Sequence, residues 1–437
     1  MRNRTSRLWG AVAASLAIAC LALTGCTSVT EATASRAGDI KLPMTVPATF
    51  TDGAIWKADR ASKAPVIVTP LGILTLTATD KADTYSPVLL APDTGKERWT
   101  GKGVKASDAL PSLAWVESDN RSWAILTVRD KTANTTTVYS YDALASHPGM
   151  PPTSTATFTG ATAETPPSVV VSATDIMVAH STAGGYLQYH PATGTTTVLS
   201  TAPTRGGEPG TPVLVYDGGW LVSYKDIGFG YATTAGGWES DNHVPTGAVP
   251  GGERMLQTGA GYVVTLWTGT AKDTQVLALQ DIQDGSVVAT MTVADSATAG
   301  LLHEQIANTA KPRHLVADGT WVTWGGFAFD LGKHAGKTIS IANGVPVAII
   351  QGMVYAWGAD RPLTGPDSTP TPEPSATPTP TVSATPTPIK GFSGNVAVDL
   401  SSGTPMPTPF TACPQGVSSY GQGIFAYGDA IYAVPLR

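Results

Sequence analysis

From about residue 48 onward, apolar and β-branched residues come in short runs of four to eight, separated by Gly, Asp, Asn or Pro. "APVIVTP", "GILTLTA", "SPVLLAP", "SWAILTV", "PSVVVSA" and "GYVVTLW" are typical. Runs of this length between turn residues predict strands. The i, i+3, i+4, i+7 spacing of an amphipathic helix is missing, except that "ADSATAGLLHEQIANTA" near residue 300 predicts one or two helical turns. The expected fold class is all-β.

The runs are grouped. "LLAPDTGKERW" (residues 89–99) reads as strand, turn closed by Gly95, and strand ending in Trp99. Variants place Gly149, Gly194, Gly236, Gly285, Gly336 and Gly403 in the same role, because a tight hairpin needs a residue that tolerates positive φ. Before each copy lies another strand–turn–strand pair, as in "TPVLVYDGGWLVSYKD". Successive glycines are 54, 45, 42, 49, 51 and 67 residues apart. The long last interval contains a Thr/Pro-rich stretch, "STPTPEPSATPTPTVSATPTP". With residues 363–389 set aside, that interval falls to about 40. Four strands per unit at a period in the forties predicts a β-propeller.

Seven units possess the turn, and "GQGIFAYGDAIYAVPLR" begins another that stops at Arg437 before an outer strand. The unclaimed strand in "ATFTDGAIWKAD" (residues 48–59) is placed to complete it, giving eight four-stranded blades closed by an N-terminal strand. Seven blades with a ragged end is the alternative. The Thr/Pro stretch then lies inside the seventh blade, as a disordered insertion. It is either an arm of polyproline II character that docks on a partner or the cell wall, or a tolerated loop lengthening.

The N-terminus changes the picture. "MRNRTSR" is cationic, an apolar run follows, and the run ends in Leu23-Thr24-Gly25-Cys26, the plan of a secretory signal peptide over residues 1–25. "LTGC" resembles the lipobox of bacterial lipoproteins. The resemblance implies cleavage between Gly25 and Cys26, lipid on Cys26, and the extracytoplasmic face of the cell membrane as location. Residues 26–47 then read as a tether and 48–437 as the propeller. Removal of three arginines takes the net charge from −6 to −9, and no Lys/Arg-rich run remains, so nucleic acid is not an expected partner. Cys413 becomes the one cysteine without lipid, expected to be a buried thiol.

"APDTGKERW" (Ala91–Trp99) resembles the repeat of quinoprotein-type, PQQ-like propellers, while the other units keep the turn and lose the Trp or the acid. Eight-bladed lipoproteins of outer-membrane protein assembly are similar in architecture. That resemblance implies a non-catalytic scaffold. Quinone-using enzymes of the superfamily need a vicinal Cys pair, which this chain does not have, so no cofactor is expected.

The seven histidines are scattered, with no H-x-x-x-H pair for a metal, although His180 and His190 in neighbouring strands could approach each other. Trp321 and Trp324 are three apart, so in a strand they point to opposite faces. One is expected to be exposed, which makes the pair the candidate aromatic binding residues. Two functional classes stay open: a propeller that binds a cell-envelope protein or cell-wall polymer, and an enzyme or sensor acting on an extracellular glycan or peptide at the central funnel.

Overall fold

The computed structural model describes residues 40–437 apart from 107, 146–147, 161–165, 181–184, 200–203, 206–207, 225–226, 234–235, 308–314, 342–343, 359–394 and 407–409. The described strands form consecutive antiparallel sheets. The first comprises Ile67–Thr69, Gly72–Ala78, Thr84–Leu90 and Glu97–Gly101; the second, Ser112–Ser118, Arg121–Asp130, Thr135–Asp142 and Ser154–Thr159. The third takes Val169–Val171, Ile176–His180, Gly185–Tyr189 and Thr196–Leu199, and the fourth Thr211–Tyr216, Gly219–Ser223, Phe229–Thr233 and Gly236–Glu239. Ala248–Gly259, Tyr262–Gly269, Gln275–Asp281 and Val287–Val293 make the fifth. Leu315–Ala317, Trp321–Trp324, Phe327–Asp330 and Ala335–Thr338 make the sixth.

In the seventh sheet Val345–Ile350, Met353–Trp357 and Val396–Asp399 are joined by a bridge from Val398 to Pro405. The eighth pairs Gly416–Val417, Gln422–Tyr427 and Ala430–Pro435, and its outer strand is Trp56–Ala58 from the start of the chain.

The sheets close into a ring. First strands of the fifth to eighth sheets touch in order, and the eighth touches the first, which touches the second. Apolar side chains fill each gap between neighbours. Leu74, Trp99, Ala124 and Tyr141 lie between the first and second sheets, and Trp324 and Phe329 join Val264 and Leu279 between the fifth and sixth. Trp56, Ile73, Val88 and Ile431 fill the gap between eighth and first. Burying a large aliphatic side chain contributes about 1.5–3 kcal/mol, so both faces of every sheet are part of the core. The fold is a β-propeller.

Proline marks where five of the eight sheets meet the axis. Pro65, Pro111, Pro167, Pro212 and Pro346 stand at or just before first strands, whose free edge faces the ring's centre. A residue without an N–H fits an edge and not a ladder interior.

A recurring contact links outer strands to the next sheet. The Trp56 indole N–H donates to the Pro92 carbonyl (3.1 Å), Trp99 to Ala143 (3.1 Å) and Trp238 to Ile282 (2.9 Å). The indole faces press on glycine: a Cβ on Gly95 would lie 2.4 Å from Trp56, and one on Gly285 would lie 2.6 Å from Trp238. The closing strand thus docks on the first sheet as an ordinary outer strand docks on its neighbour.

Three details depart from the sequence reading. In the sixth sheet the positive-φ turn residue is His334 (φ 55°), not Gly336, which sits in the outer strand against Met291 and Phe329. Gly149 belongs to Pro148–Met150, an excursion that pairs in parallel with Glu97–Gly101 and covers the first sheet's edge. The helix Ser296–Ala307 runs for 12 residues, longer than one or two turns, with the Thr298 N–H donating to the Asp295 carboxylate at its start.

Residues 40–47, assigned to the tether by sequence, instead pack on the ring. Ile40–Lys41 pair with Gly53–Ala54, and Ile40, Leu42, Met44 and Val46 all join the core between the seventh and eighth sheets. Those four residues alternate with polar or small ones, which is the period of a strand.

Candidate functional site

Strands alternate in direction, so turns within pairs gather at one end of the ring. Connections from second to third strand, and from each sheet to the next, gather at the other. This loop end carries the helix, and Trp357 and Val396, which flank residues 359–394, lie there. The two flanking strands pair directly.

First strands line the axis and carry both aliphatic and polar residues, among them exposed Arg254 and half-buried Gln257 and Thr258. Half-buried residues on first strands include Ile67, Val68, Leu113, Val169, Val213, Leu315, Val347 and Val417. Among the described residues the first strands carry two carboxylates, and each has partners. Glu117 accepts from the Trp115 indole N–H (3.3 Å), whereas Glu253 turns away into the body of the protein.

Glu253 anchors the feature that departs most from regular propeller geometry. In the fifth sheet Val249 pairs with Thr268 and Arg254 with Leu266, five steps along one strand against two along the other. The surplus residues form a raised bulge, Val249-Pro250-Gly251-Gly252, exposed throughout. Gly251 and Gly252 supply its positive φ values of 94° and 81°. The bulge is locked from below. The Gly251 N–H donates to Glu253 Oε2 (2.8 Å), and the Ser240 hydroxyl donates to Oε1 (2.6 Å).

Arg205 Nη1 in turn donates to Ser240 Oγ (3.1 Å). Arg205 also pairs with Asp241 and, at 3.6 Å, with Glu239, and its guanidinium lies 5.9 Å from the Tyr224 ring centre. Burial works against its charge, but Asp241, Glu239 and Glu253 outweigh that and hold its pKa above the ordinary value. Glu253 and Ser240 are almost wholly buried. Gly228 (φ 113°) closes the group, since a Cβ there would stand 2.5–2.6 Å from Arg205, Ser240 and Glu253. Its neighbour Ile227 and the bulge residue Val249 are each 36% exposed.

The sequence-predicted aromatics lie elsewhere. Trp321 and Trp324 do point to opposite faces, yet both are buried, at 7% and 0% exposure. Trp321 packs between the sixth and seventh sheets with the Lys337 ammonium 5.2 Å from its ring centre. Trp324 packs between the fifth and sixth, stacked on Phe327 at 5.7 Å. Alternation predicts exposure only when one sheet face is wet, and here each face meets a neighbouring sheet. They are core residues and present no binding surface.

His180 pairs with Gly185 while Tyr189 pairs with Ile176, so His180 and His190 sit at opposite ends of their hairpin. His190 bonds Thr197 (2.8 Å). The Cys413 thiol is buried and donates to the Ala356 carbonyl (3.3 Å). Gly25 and Cys26 lie outside the described residues, as does the segment 363–389. Among the described residues no group of three or more His, Cys, Asp or Glu is arranged to hold a metal ion.

At the turn end a shallow cleft of about 370 Å³ lies between the fourth and fifth sheets, lined in part by Trp238, His243, Gln283 and Asp284. Its tryptophan is spent on the docking contact described above. Sequence reasoning missed Arg205, Ser240 and Glu253. The signal for Glu253 is "VPGGE", two glycines and an acid inside a strand run, whereas nothing local marks Arg205 or Ser240.

No family model and no curated protein matches the chain. Solved structures share its strand arrangement at low identity. A computationally designed protein, Ika8, is similar at 11% identity over 87% of this chain and 97% of its own (TM-score 0.42). BamB from Moraxella catarrhalis is similar at 14% identity over 73% of this chain and 95% of its own (TM-score 0.33). The Dos1 propeller is similar at 10% identity over 84% of this chain and 75% of its own (TM-score 0.28). These likenesses concern fold and carry no ligand or partner.

Proposed function

We propose that this protein is a lipid-anchored, extracytoplasmic β-propeller that binds another component of the cell envelope and does no chemistry of its own. The first-strand carboxylates carry the reading: among the described residues these strands hold Glu117 and Glu253, and Glu253 is buried in its bonds to Ser240 and Gly251, so no pair of first-strand carboxylates converges on the axis. The anchor rests on Leu23-Thr24-Gly25-Cys26, with the polar residues that follow read as the tether. A count of eight blades is supported by the order of the sheets and by the docking of Trp56 on the first of them.

The test is photo-crosslinking in living cells from the anchored protein, with mass spectrometry of what is captured. One dominant envelope protein or cell-wall fragment, lost when exposed loop-end residues are changed, is the expected result. Turnover of a glycan or peptide by the purified ring would sink the non-catalytic reading. Labelled palmitate that incorporates equally well into Cys26→Ala would sink the anchor.

A further inference from the structure

We propose that residues 40–58 form a tension-sensitive clasp: a pull on the chain ahead of Ile40 peels this strap from the ring before the rest yields, and bares the edge of the eighth sheet. The inference rests on the lipid-anchored reading above, because an anchor ahead of Ile40 and a partner holding the ring would apply the pull. The strap's ties follow one another along the chain. Ile40–Lys41 pair with Gly53–Ala54, Thr45 exchanges bonds with Thr411 (3.0 Å), and the Thr49 carbonyl accepts from the Arg437 N–H (2.9 Å). Thr51 and Ile55 then donate to Pro435 (3.0 Å) and Ala433 (2.9 Å), and Trp56–Ala58 pair with Ile431–Ala433. Tension that enters at residue 40 reaches these ties in series, so each short group yields alone.

The sequence itself loosens the strap near its entry. Pro43 and Pro47 have no N–H, so two backbone donors between Lys41 and Thr49 are absent. Apolar seating does much of the holding. Met44 and Phe50 are buried between the seventh and eighth sheets, with Phe50 edge-on to Phe425 at 5.0 Å and 6.1 Å from Tyr355. A Cβ on Gly423 would stand 2.2 Å from the Phe50 ring, so that glycine forms its seat. Nothing covalent changes on release, and the strap can re-seat when the load falls. Peeling leaves Ala430–Pro435 without its outer partner, and open ladder groups beside Phe425 and Tyr355 accept an extended strand. Strain between membrane and ring is thereby converted into a binding edge.

Optical tweezers test this on the mature chain made without lipid, with DNA handles on Cys26 and on Val198→Cys, an exposed position in the third sheet. The expected record is a short first step at lower force than the unfolding of the ring. Its length is up to about 65 Å for residues 40–58 at ~3.4 Å each, and it reverses when the load is lowered. Phe50→Ala should release roughly tenfold faster or more at the same load and leave the later unfolding force unchanged. Circular dichroism confirms that each variant is folded. Handles on Asp59→Cys and Val198→Cys, in a chain carrying Cys26→Ser, load the ring behind the strap and should lose the short step. Unfolding in one step from Cys26, a short step that persists from Asp59→Cys, or release that Phe50→Ala does not speed, each overturns the clasp. A short step in the tweezers without palmitate on Cys26 in cells leaves the clasp standing and defeats the anchor reading. Palmitate on Cys26 together with one-step unfolding defeats the clasp alone.

Discussion

Glycine in the third-to-fourth strand turns does two separate jobs. Gly95, Gly285 and Gly403 all have φ between 66° and 76°, which an L-residue adopts at a cost of about 1–2 kcal/mol. Gly95 and Gly285 also receive an indole face, whereas a Cβ on Gly403 meets nothing nearer than 3.8 Å. Alanine at 95 or 285 should therefore destabilise by about 1–3 kcal/mol more than alanine at 403. Urea denaturation of the three variants reads this directly, and equal losses would remove the docking role of Trp56 and Trp238. Asp281 gives a second prediction. Burial raises its pKa, although the Gln283 N–H opposes the shift. A carboxyl whose folded pKa exceeds its unfolded value of about 3.9 stabilises fully below that value, and this is lost as pH rises through the folded pKa. Asp281→Asn, which keeps an acceptor for Gln283, should raise Tm near pH 7 and give no advantage below pH ~4. Calorimetry at the two pH values checks it. At this scale the sequence was least legible. The turn glycines could be found by repeat, but the partners of Arg205 and Glu253 lie 35 and 13 residues away at Ser240, and no local pattern joins them.

Strands and their order were readable because each needs only a short apolar run and a turn residue, both local properties. The docking of Trp56 as an outer strand was readable too, since the eighth unit lacked a fourth strand and one run near the start was unclaimed. Three readings failed for reasons of packing. Ile40, Leu42, Met44 and Val46 alternate as a strand does, yet are interrupted by Pro43, and only the neighbouring sheets show where they pack. Trp321 and Trp324 looked half-exposed because a sequence does not say that both faces of a sheet are covered. In the sixth turn, His334 takes the position where most units have glycine. The interrupted seventh sheet offers a test at this scale. Met353–Trp357 and Val396–Asp399 are in register with each other, so the sheet is expected to form without residues 363–389. Their excision should leave Tm unchanged or slightly higher, because each halving of a flexible loop returns only about 0.6 kcal/mol. A large loss of stability would mean that the segment packs on the ring.

A closed ring has no terminal sheet, and here closure is made by residues at opposite ends of the chain. Trp56–Ala58 pair with Ile431–Ala433, Phe50 bridges Leu436, and the Arg437 backbone N–H donates to the Thr49 carbonyl. Thr49 also meets the Tyr355 hydroxyl at 2.7 Å, and burial pushes that phenol up to about 12, so it stays protonated at physiological pH. The N-terminal strap therefore belongs to two gaps at once: Met44 and Phe50 fill the one between the seventh and eighth sheets, and Trp56 and Ala58 the one between the eighth and first. Sequence-distant pairing of this kind forms late, because a loop of nearly the whole chain must close first. Without it, Ala430–Pro435 becomes an uncovered edge with its ladder groups unpaired, which invites pairing with a second chain. A protein that begins at residue 60 should bind ANS, lose its cooperative melting transition and self-associate in ultracentrifugation. Addition of a synthetic peptide of residues 40–59 should reverse all three. Trp56→Ala, which keeps the strand and deletes the docked indole, should destabilise the ring by about 3–5 kcal/mol without opening it. If the shortened protein instead melts cooperatively as a monomer, the ring does not need its clasp, and the strap would be an anchor rather than part of the fold.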